Sequence, residues 1–264
     1  MDLSLDGKTA LVAASSRGLG FALARQLVIE GCQTVICGRT AADVTAAVEE
    51  LRAAGPGAAA GLAVDVTVAA GVERLVKFTV ETFGGLDILV TNAGGPPNGT
   101  FDQVNMEQWQ DAVDLTLLSA VRLIREALPH LRQSNAASIL TITSISVKEP
   151  IAGLLLSNSI RPGVVGMTKT LSLELAGDGI RVNSILPGWT RTERVVEEIF
   201  EYRAEANNTS VKEEMARVTS GIPLGRMAEP EEFGRVAAFL VSPAASYLTG
   251  LMLQADGGSY QGLL

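Results

Sequence analysis

Thr9-Ala10-Leu11-Val12-Ala13-Ala14-Ser15-Ser16-Arg17-Gly18-Leu19-Gly20 is the stretch on which the reading of the fold turns. Thr9 to Ala13 is a short apolar run with no polar alternation, the pattern of a strand covered on both faces. A polar, glycine-containing turn follows, and Gly20 to Glu30 then carries helical periodicity. Strand, glycine turn and helix in immediate succession bring unclaimed backbone N–H groups and the positive end of a helix dipole to one point, which suits a diphosphate. Gly18 and Gly20 alone say little; their place in the first strand-turn-helix unit of the chain says more.

Outward from this unit the alternation continues. Thr34 to Cys37, Ala60 to Val64, Leu86 to Thr91, Ser138 to Thr143 and Arg181 to Leu186 read as strands, and Ala41 to Ala54, Val68 to Phe83, Met106 to Leu131 and Val164 to Ala176 as helices. Parallel strands need a crossover to rejoin their sheet, and helices between strands supply it. The expected fold class is α/β, a Rossmann-type doubly wound parallel sheet of about seven strands flanked by helices, with residues 1–264 forming a single domain. Thr190 to Ser220 breaks the rhythm with dense charge of both signs, including Glu193, Arg194, Glu197, Glu198, Glu213 and Glu214. Two readings stand for it, a solvated helical excursion and a mobile lid over a pocket.

Composition removes several function classes. With 264 residues, 47% of them hydrophobic, the chain can bury one sizeable core. A net charge of −8 argues against a broad nucleic-acid surface, since that binding is driven by Lys and Arg neutralising phosphates. The acidic start, Met1-Asp2-Leu3-Ser4-Leu5-Asp6, is unlike a secretory signal, and no apolar run is long enough to cross a bilayer. The expectation is a cytoplasmic protein with no nucleic-acid or membrane partner. Cys32 and Cys37 are separated by an odd number of residues, so on a strand they face opposite ways and read as buried, inert thiols. The one histidine, His130, follows Pro129 near a helix end and has no triad partners in view. No metal site is expected.

The end of the second strand discriminates between NAD and NADP, because an acid there would bond the ribose 2′-hydroxyl and repel a 2′-phosphate. Here the sequence runs Cys37-Gly38-Arg39-Thr40. Arg39 with Arg17 could clamp a phosphate, which favours NADP(H) over NAD(H); solvated surface arginines are the competing reading.

The whole chain resembles the short-chain dehydrogenase/reductase family. Ser15-Ser16-Arg17-Gly18-Leu19-Gly20 is similar to the family's TGxxxGxG loop, Asp65-Val66 to its adenine-contacting segment, and Thr91-Asn92-Ala93-Gly94 to its NNAG motif. Pro187-Gly188 with Thr192 resembles its PGxxxT segment near the nicotinamide. Pro223-Leu224-Gly225-Arg226, Glu229-Pro230-Glu231-Glu232, Tyr247-Leu248-Thr249-Gly250 and Asp256-Gly257-Gly258 extend the likeness to the C-terminus. The resemblance implies cofactor contacts at Ala14, Ser16, Arg17, Gly18, Leu19, Gly20, Arg39, Thr40, Asp65, Val66, Asn92, Ala93, Gly94, Arg161, Pro187, Gly188 and Thr192. It also implies a small carbonyl or alcohol substrate, and homo-dimers or homo-tetramers formed through Met106 to Leu131 and Tyr247 to Leu264, although an intrachain core could equally account for those apolar stretches.

The family's active site is a Ser with a YxxxK pair, often joined by an Asn. Ser144 matches the Ser, while the register of Ser157 to Lys169 puts Ser157 at the tyrosine and Arg161 at the lysine. Thr116, seven residues after Trp109, falls at the Asn. Ala14 replaces a glycine of the loop, at a cost of about 1–2 kcal/mol if the turn is left-handed. A serine hydroxyl is a far poorer acid than a tyrosine phenol, and Arg161 keeps a cation without readily exchanging a proton. Three activities follow. One is a 3-oxoacyl-reductase-like reduction, with Ser144 and Arg161 polarising the carbonyl and the proton coming from Ser157, Lys148 or water. Another is NADP(H) binding without turnover, as a regulatory or scaffold protein. The last is a different reaction on an anionic substrate recognised by Arg161.

Overall fold

The computed structural model describes residues 2–263. Met1 and Leu264, the ends of the expected domain and, for Leu264, of the apolar C-terminal stretch, lie outside the described residues. Seven parallel strands form one sheet in the order β3-β2-β1-β4-β5-β6-β7, where β1 is Thr9–Val12, β2 Gln33–Gly38, β3 Ala59–Ala63, β4 Ile88–Thr91, β5 Ser138–Ile142, β6 Arg181–Pro187 and β7 Met252–Ala255. The expected doubly wound sheet is what the chain forms. The order reverses between β1 and β4, so their carboxyl ends open a crevice at the switch point, where such sheets bind ligands.

Burial explains the unbroken apolar strands. On β1, Ala10 and Val12 face one core while Leu11 faces the other; on β2, Ile36 and Val35 divide in the same way. The first core is covered by α1 (Gly18–Ile29), α2 (Ala41–Ala54) and α9 (Pro230–Val241) through residues such as Leu27, Leu51 and Phe233. The second is covered mainly by α3 (Ala69–Phe83) and α5 (Ser119–Leu131) through Leu75, Leu123 and Leu131. Each fully buried Leu contributes on the order of 2 kcal/mol of transfer free energy. Cys32 and Cys37 lie in opposite cores, and burial pushes both thiols up to about 12, so neither is a nucleophile at neutral pH.

Two helical expectations are corrected. The run Met106 to Leu131 is not one α-helix: α4 (Met106–Val113) and α5 are joined by a π turn, Asp114–Leu118. The helix expected from Val164 begins nine residues earlier as α6 (Leu155–Glu174) and runs through Pro162. Pro162 is tolerated because it lies on the exposed side, while Leu156, Ile160, Val164 and Thr168 bury the opposite side at helical spacing.

The segment after β6 is helical and much of its outer side faces solvent, as one of the two readings expected, but it is also packed internally and lines the cavity described below. It contains a π-helical stretch (Arg194–Ile199), α7 (Phe200–Asn207) and α8 (Val211–Ser220), closed over a small core of its own around Phe200, Ile222 and Met227. Trp189 stacks on Phe200 with ring centroids 5.5 Å apart. Glu214 is wholly buried and accepts hydrogen bonds from Arg203, Asn207 and Thr209, with Arg217 beside it. Burial raises its carboxyl pKa, but those hydrogen bonds and the Arg217 charge outweigh it and leave the pKa below the usual value. No helix among the described residues is long and apolar enough to cross a membrane.

Candidate active site

The loop after β1 is stitched to both neighbouring strands. Ala13 donates its backbone N–H to Val90, Ser15 donates to Cys37, and the Ser15 hydroxyl donates to the Val12 carbonyl. These bonds hold Ala14 at φ +45°, the left-handed backbone that L-residues resist, so the sequence carries the strain expected of an alanine at a glycine position. Gly18 also has a positive φ, +64°. Arg17, at the N-cap of α1, is extended and offers no side-chain cap, so the first amides of the helix are left for another acceptor. Gly20 lies beneath the surface rather than on it. A Cβ there would meet Asn92 Nδ2 at 2.9 Å and the Ala14 oxygen at 3.0 Å, the pair that closes the loop through the Asn92 Nδ2 to Ala14 bond of 2.9 Å.

A cavity of about 570 Å³ extends from this loop along the carboxyl ends of the strands. At its outer end are Ser16, Arg17, Leu19, Arg39, Thr40, Asp43, Asp65 and Val66; Asn92, Ala93 and Gly94 form the middle, with Pro187, Gly188 and Thr192 beyond. Asp65 is fixed by accepting from the Thr67 N–H and hydroxyl. Arg39 is exposed at the rim. Arg17 is paired with Glu193 at 3.1 Å rather than directed toward Arg39. Both partners of that pair are largely exposed, so it is worth at most about 1 kcal/mol and releases Arg17 easily.

The inner end contains Ser144, Ser157 and Arg161. Ser144, extended at the end of β5, caps the 3₁₀ turn Ile145–Val147 by accepting from the Ser146 N–H. One turn apart on α6, the Arg161 Nε donates to Ser157 Oγ at 2.9 Å, while Arg161 Nη1 reaches the carbonyls of Ile142 and Thr143. Neither serine hydroxyl donates to a protein acceptor among the described residues, so both protons remain available to a ligand. Burial, with the Arg194 charge adding to it, lowers the Arg161 guanidinium to about 10.

Two expected site residues lie elsewhere. Thr116 sits on the π turn, buried, facing a separate small cavity of about 10 Å³ shared with Asn92 and Arg161; its hydroxyl has no partner among the described residues. Lys148 does not line the main cavity but lies 5.5 Å over the Tyr260 ring. Conversely, Trp189, Arg194, Val195, Glu198 and Ile199 line the inner end and were not foreseen as site residues. Arg194 was one of many charges in its segment, and nothing in the spacing distinguished it.

The sequence profile described as enoyl-(acyl carrier protein) reductase matches residues 13–260. The chain belongs to the short-chain dehydrogenase/reductase family. Within that family it is 31% identical to the 3-oxoacyl-[acyl-carrier-protein] reductase of Vibrio cholerae, over 98% of this chain and 99% of the relative. L-Sorbose reductase from Gluconobacter frateurii, solved with NADPH and L-sorbose, superposes with a TM-score of 0.93 at 32% identity over the full length of both chains. A variant of actinorhodin polyketide ketoreductase solved with NADPH superposes at 0.92 with 32% identity, covering 97% of this chain and 98% of that one.

Proposed function

We propose that this short-chain dehydrogenase/reductase is an NADP(H)-dependent carbonyl reductase of the 3-oxoacyl-reductase kind with an altered proton-delivery set. The observation that carries the reading is one continuous cavity. It has the uncapped start of α1 and Arg39 at one end, and Ser144, Ser157 and Arg161 at the other. The cofactor fits the residues present. Unclaimed amides and a glycine-closed loop suit a diphosphate, Arg39 with a released Arg17 suits a 2′-phosphate, and no acid occupies the Arg39-Thr40 position. NADPH bound there would supply a hydride to a carbonyl carbon.

The protein groups complete the chemistry. Ser144 Oγ and the free Nη2 of Arg161 polarise the carbonyl oxygen. Ser157 and Arg161 stand where the family's tyrosine and lysine act, and the proton comes from the Ser157 hydroxyl or from water through it. Ser157 is the weaker acid, so the step forfeits on the order of 10²- to 10⁴-fold relative to a tyrosine-equipped site. Lys148, over Tyr260, takes no part. Residues 1–264 act as one dinucleotide-binding domain, with 190–220 as its substrate-side wall. We place the protein in the cytoplasm and propose that it works as a homo-oligomer, the association being supported by the exposed Phe101, Met106 and Tyr247.

Loss of NADPH absorbance across a panel of ketones and 3-oxo esters tests the reading, with turnover expected to be slow but abolished by Arg161→Met. A second reading, NADP(H) binding without turnover, is favoured by the Ser157 hydroxyl being tied to Arg161. It wins if no ketone is reduced by wild type while the triple variant Ser157→Tyr, Arg161→Lys, Thr116→Asn gains activity.

A further inference from the structure

We infer that the substrate of this site carries a carboxylate, held between Arg161 on α6 and Arg194 on the wall after β6. The inference takes from the reductase reading only that a substrate enters the inner end; its charge is read from the side chains there.

Arg161 is half-buried at the inner end of the cavity, and its hydrogen-bond partners are all neutral: the Ser157 hydroxyl and the carbonyls of Ile142 and Thr143. No carboxylate pairs with it among the described residues, and its Nη2 donates to no protein acceptor. A desolvated cation without a counter-charge is costly, and proteins keep one where a ligand completes it. Arg194, on the wall after β6, adds a second guanidinium to the same cavity. Its seat is built: Nη1 donates to the Gly95 carbonyl at 3.1 Å and Nη2 to the Pro96 carbonyl at 2.9 Å, and the guanidinium lies where a side chain on Gly95 would be. Burial lowers the proton affinity of both arginines, and the Arg194 charge adds to the lowering at Arg161, which puts the two guanidiniums at the same end of the cavity.

The charges at this end do not cancel. Glu198 pairs with Arg194 at 2.7 Å, and Glu193 is taken by Arg17. Two guanidiniums and one engaged carboxylate leave one positive charge, which a monoanion balances. Arg161 Nη2 carries two N–H groups, so one can serve the carboxylate while the other serves the reacting carbonyl, and Ile151, Leu154, Val195 and Ile199 give the rest of the substrate an apolar wall. The diphosphate site lies at the other end of the cavity, by the start of α1, so the cofactor does not supply this anion.

The test is calorimetric titration of acetoacetate, 3-oxohexanoate and phenylpyruvate against their methyl esters, with L-sorbose and inorganic phosphate as further probes. It is run on the full chain with and without NADP⁺. At least one acid is expected to bind about tenfold or more tighter than its ester, with NADP⁺ present as well as absent. Arg194→Gln should abolish that preference. Gly95→Ala, which displaces the guanidinium without removing it, should reduce it, and Arg194→Lys should retain part of it. Equal binding of acid and ester, no binding of any acid, tighter binding of phosphate or L-sorbose, or a preference that vanishes when NADP⁺ is present would each overturn the inference. NADPH fluorescence on the same samples judges the cofactor reading separately, since the acid-ester comparison on the unloaded protein stands without it.

Discussion

The two ends of the cavity are made of different material. The outer end is built from backbone: amides at the start of α1, a loop fixed by main-chain bonds from Ala13 and Ser15, and Asn92 clasping the Ala14 carbonyl. The inner end is built from side chains: Ser144, Ser157, Arg161 and Arg194. A backbone site survives side-chain replacement so long as the chain path is kept, and even Ala14 is forced into the left-handed region rather than changing that path. A side-chain site changes its chemistry with each replacement. Dinucleotide recognition and reaction chemistry can therefore diverge independently within one crevice.

Four substitutions probe this contrast. The largest effect is expected from Gly20→Val, which drives a branched side chain into Asn92, Ala14 and Ser15. Overpacking of about 2–3 kcal/mol at the loop should weaken NADPH roughly 30- to 150-fold by fluorescence titration. Arg39→Ala tests the outer end where it relies on a charged side chain. Loss of a charged hydrogen bond, about 1.5–3 kcal/mol, should weaken NADPH by roughly tenfold or more and leave NADH unchanged.

Glu214→Gln probes the wall that carries Arg194. Unpairing Arg203 and Arg217 from a buried carboxylate should lower the melting temperature by on the order of 5 °C at pH 7. The Glu214 pKa is depressed in the folded state, so its contribution is complete above the ordinary glutamate pKa and is lost as pH falls through the lower folded value. The gap between variant and wild type should therefore close on acidification below pH ~4. The smallest effect is Ala14→Gly. Relief of about 1–2 kcal/mol of left-handed strain, offset by about 0.5–1 kcal/mol for glycine's greater freedom in the unfolded chain, should raise the melting temperature by about 2 °C.

The same contrast explains what was legible in the sequence. Sheet class, the switch-point crevice and the glycine turn follow from local patterns, because Leu11, Val35 and Leu89 need only be apolar and Gly18 needs only its backbone freedom. The start of α6 was hidden because Pro162 looks like a boundary until the buried line of Leu156, Ile160 and Val164 is seen in three dimensions. That Thr116 faces a small cavity shared with Asn92 and Arg161, and not the main one, was not legible, because the π turn on which it sits inserts an extra residue per turn. Arg194 was illegible because its importance comes from the carbonyls of Gly95 and Pro96, about a hundred residues away in the chain, which seat it in the cavity that Arg161 also lines.

The measurement that bears most directly on the account is parallel titration of NADPH and NADH into the wild-type protein, followed by nicotinamide fluorescence. Saturable binding of NADPH, about tenfold or more tighter than NADH, is the predicted result. Binding of neither nucleotide would contradict the claim that the backbone end of the crevice holds a diphosphate.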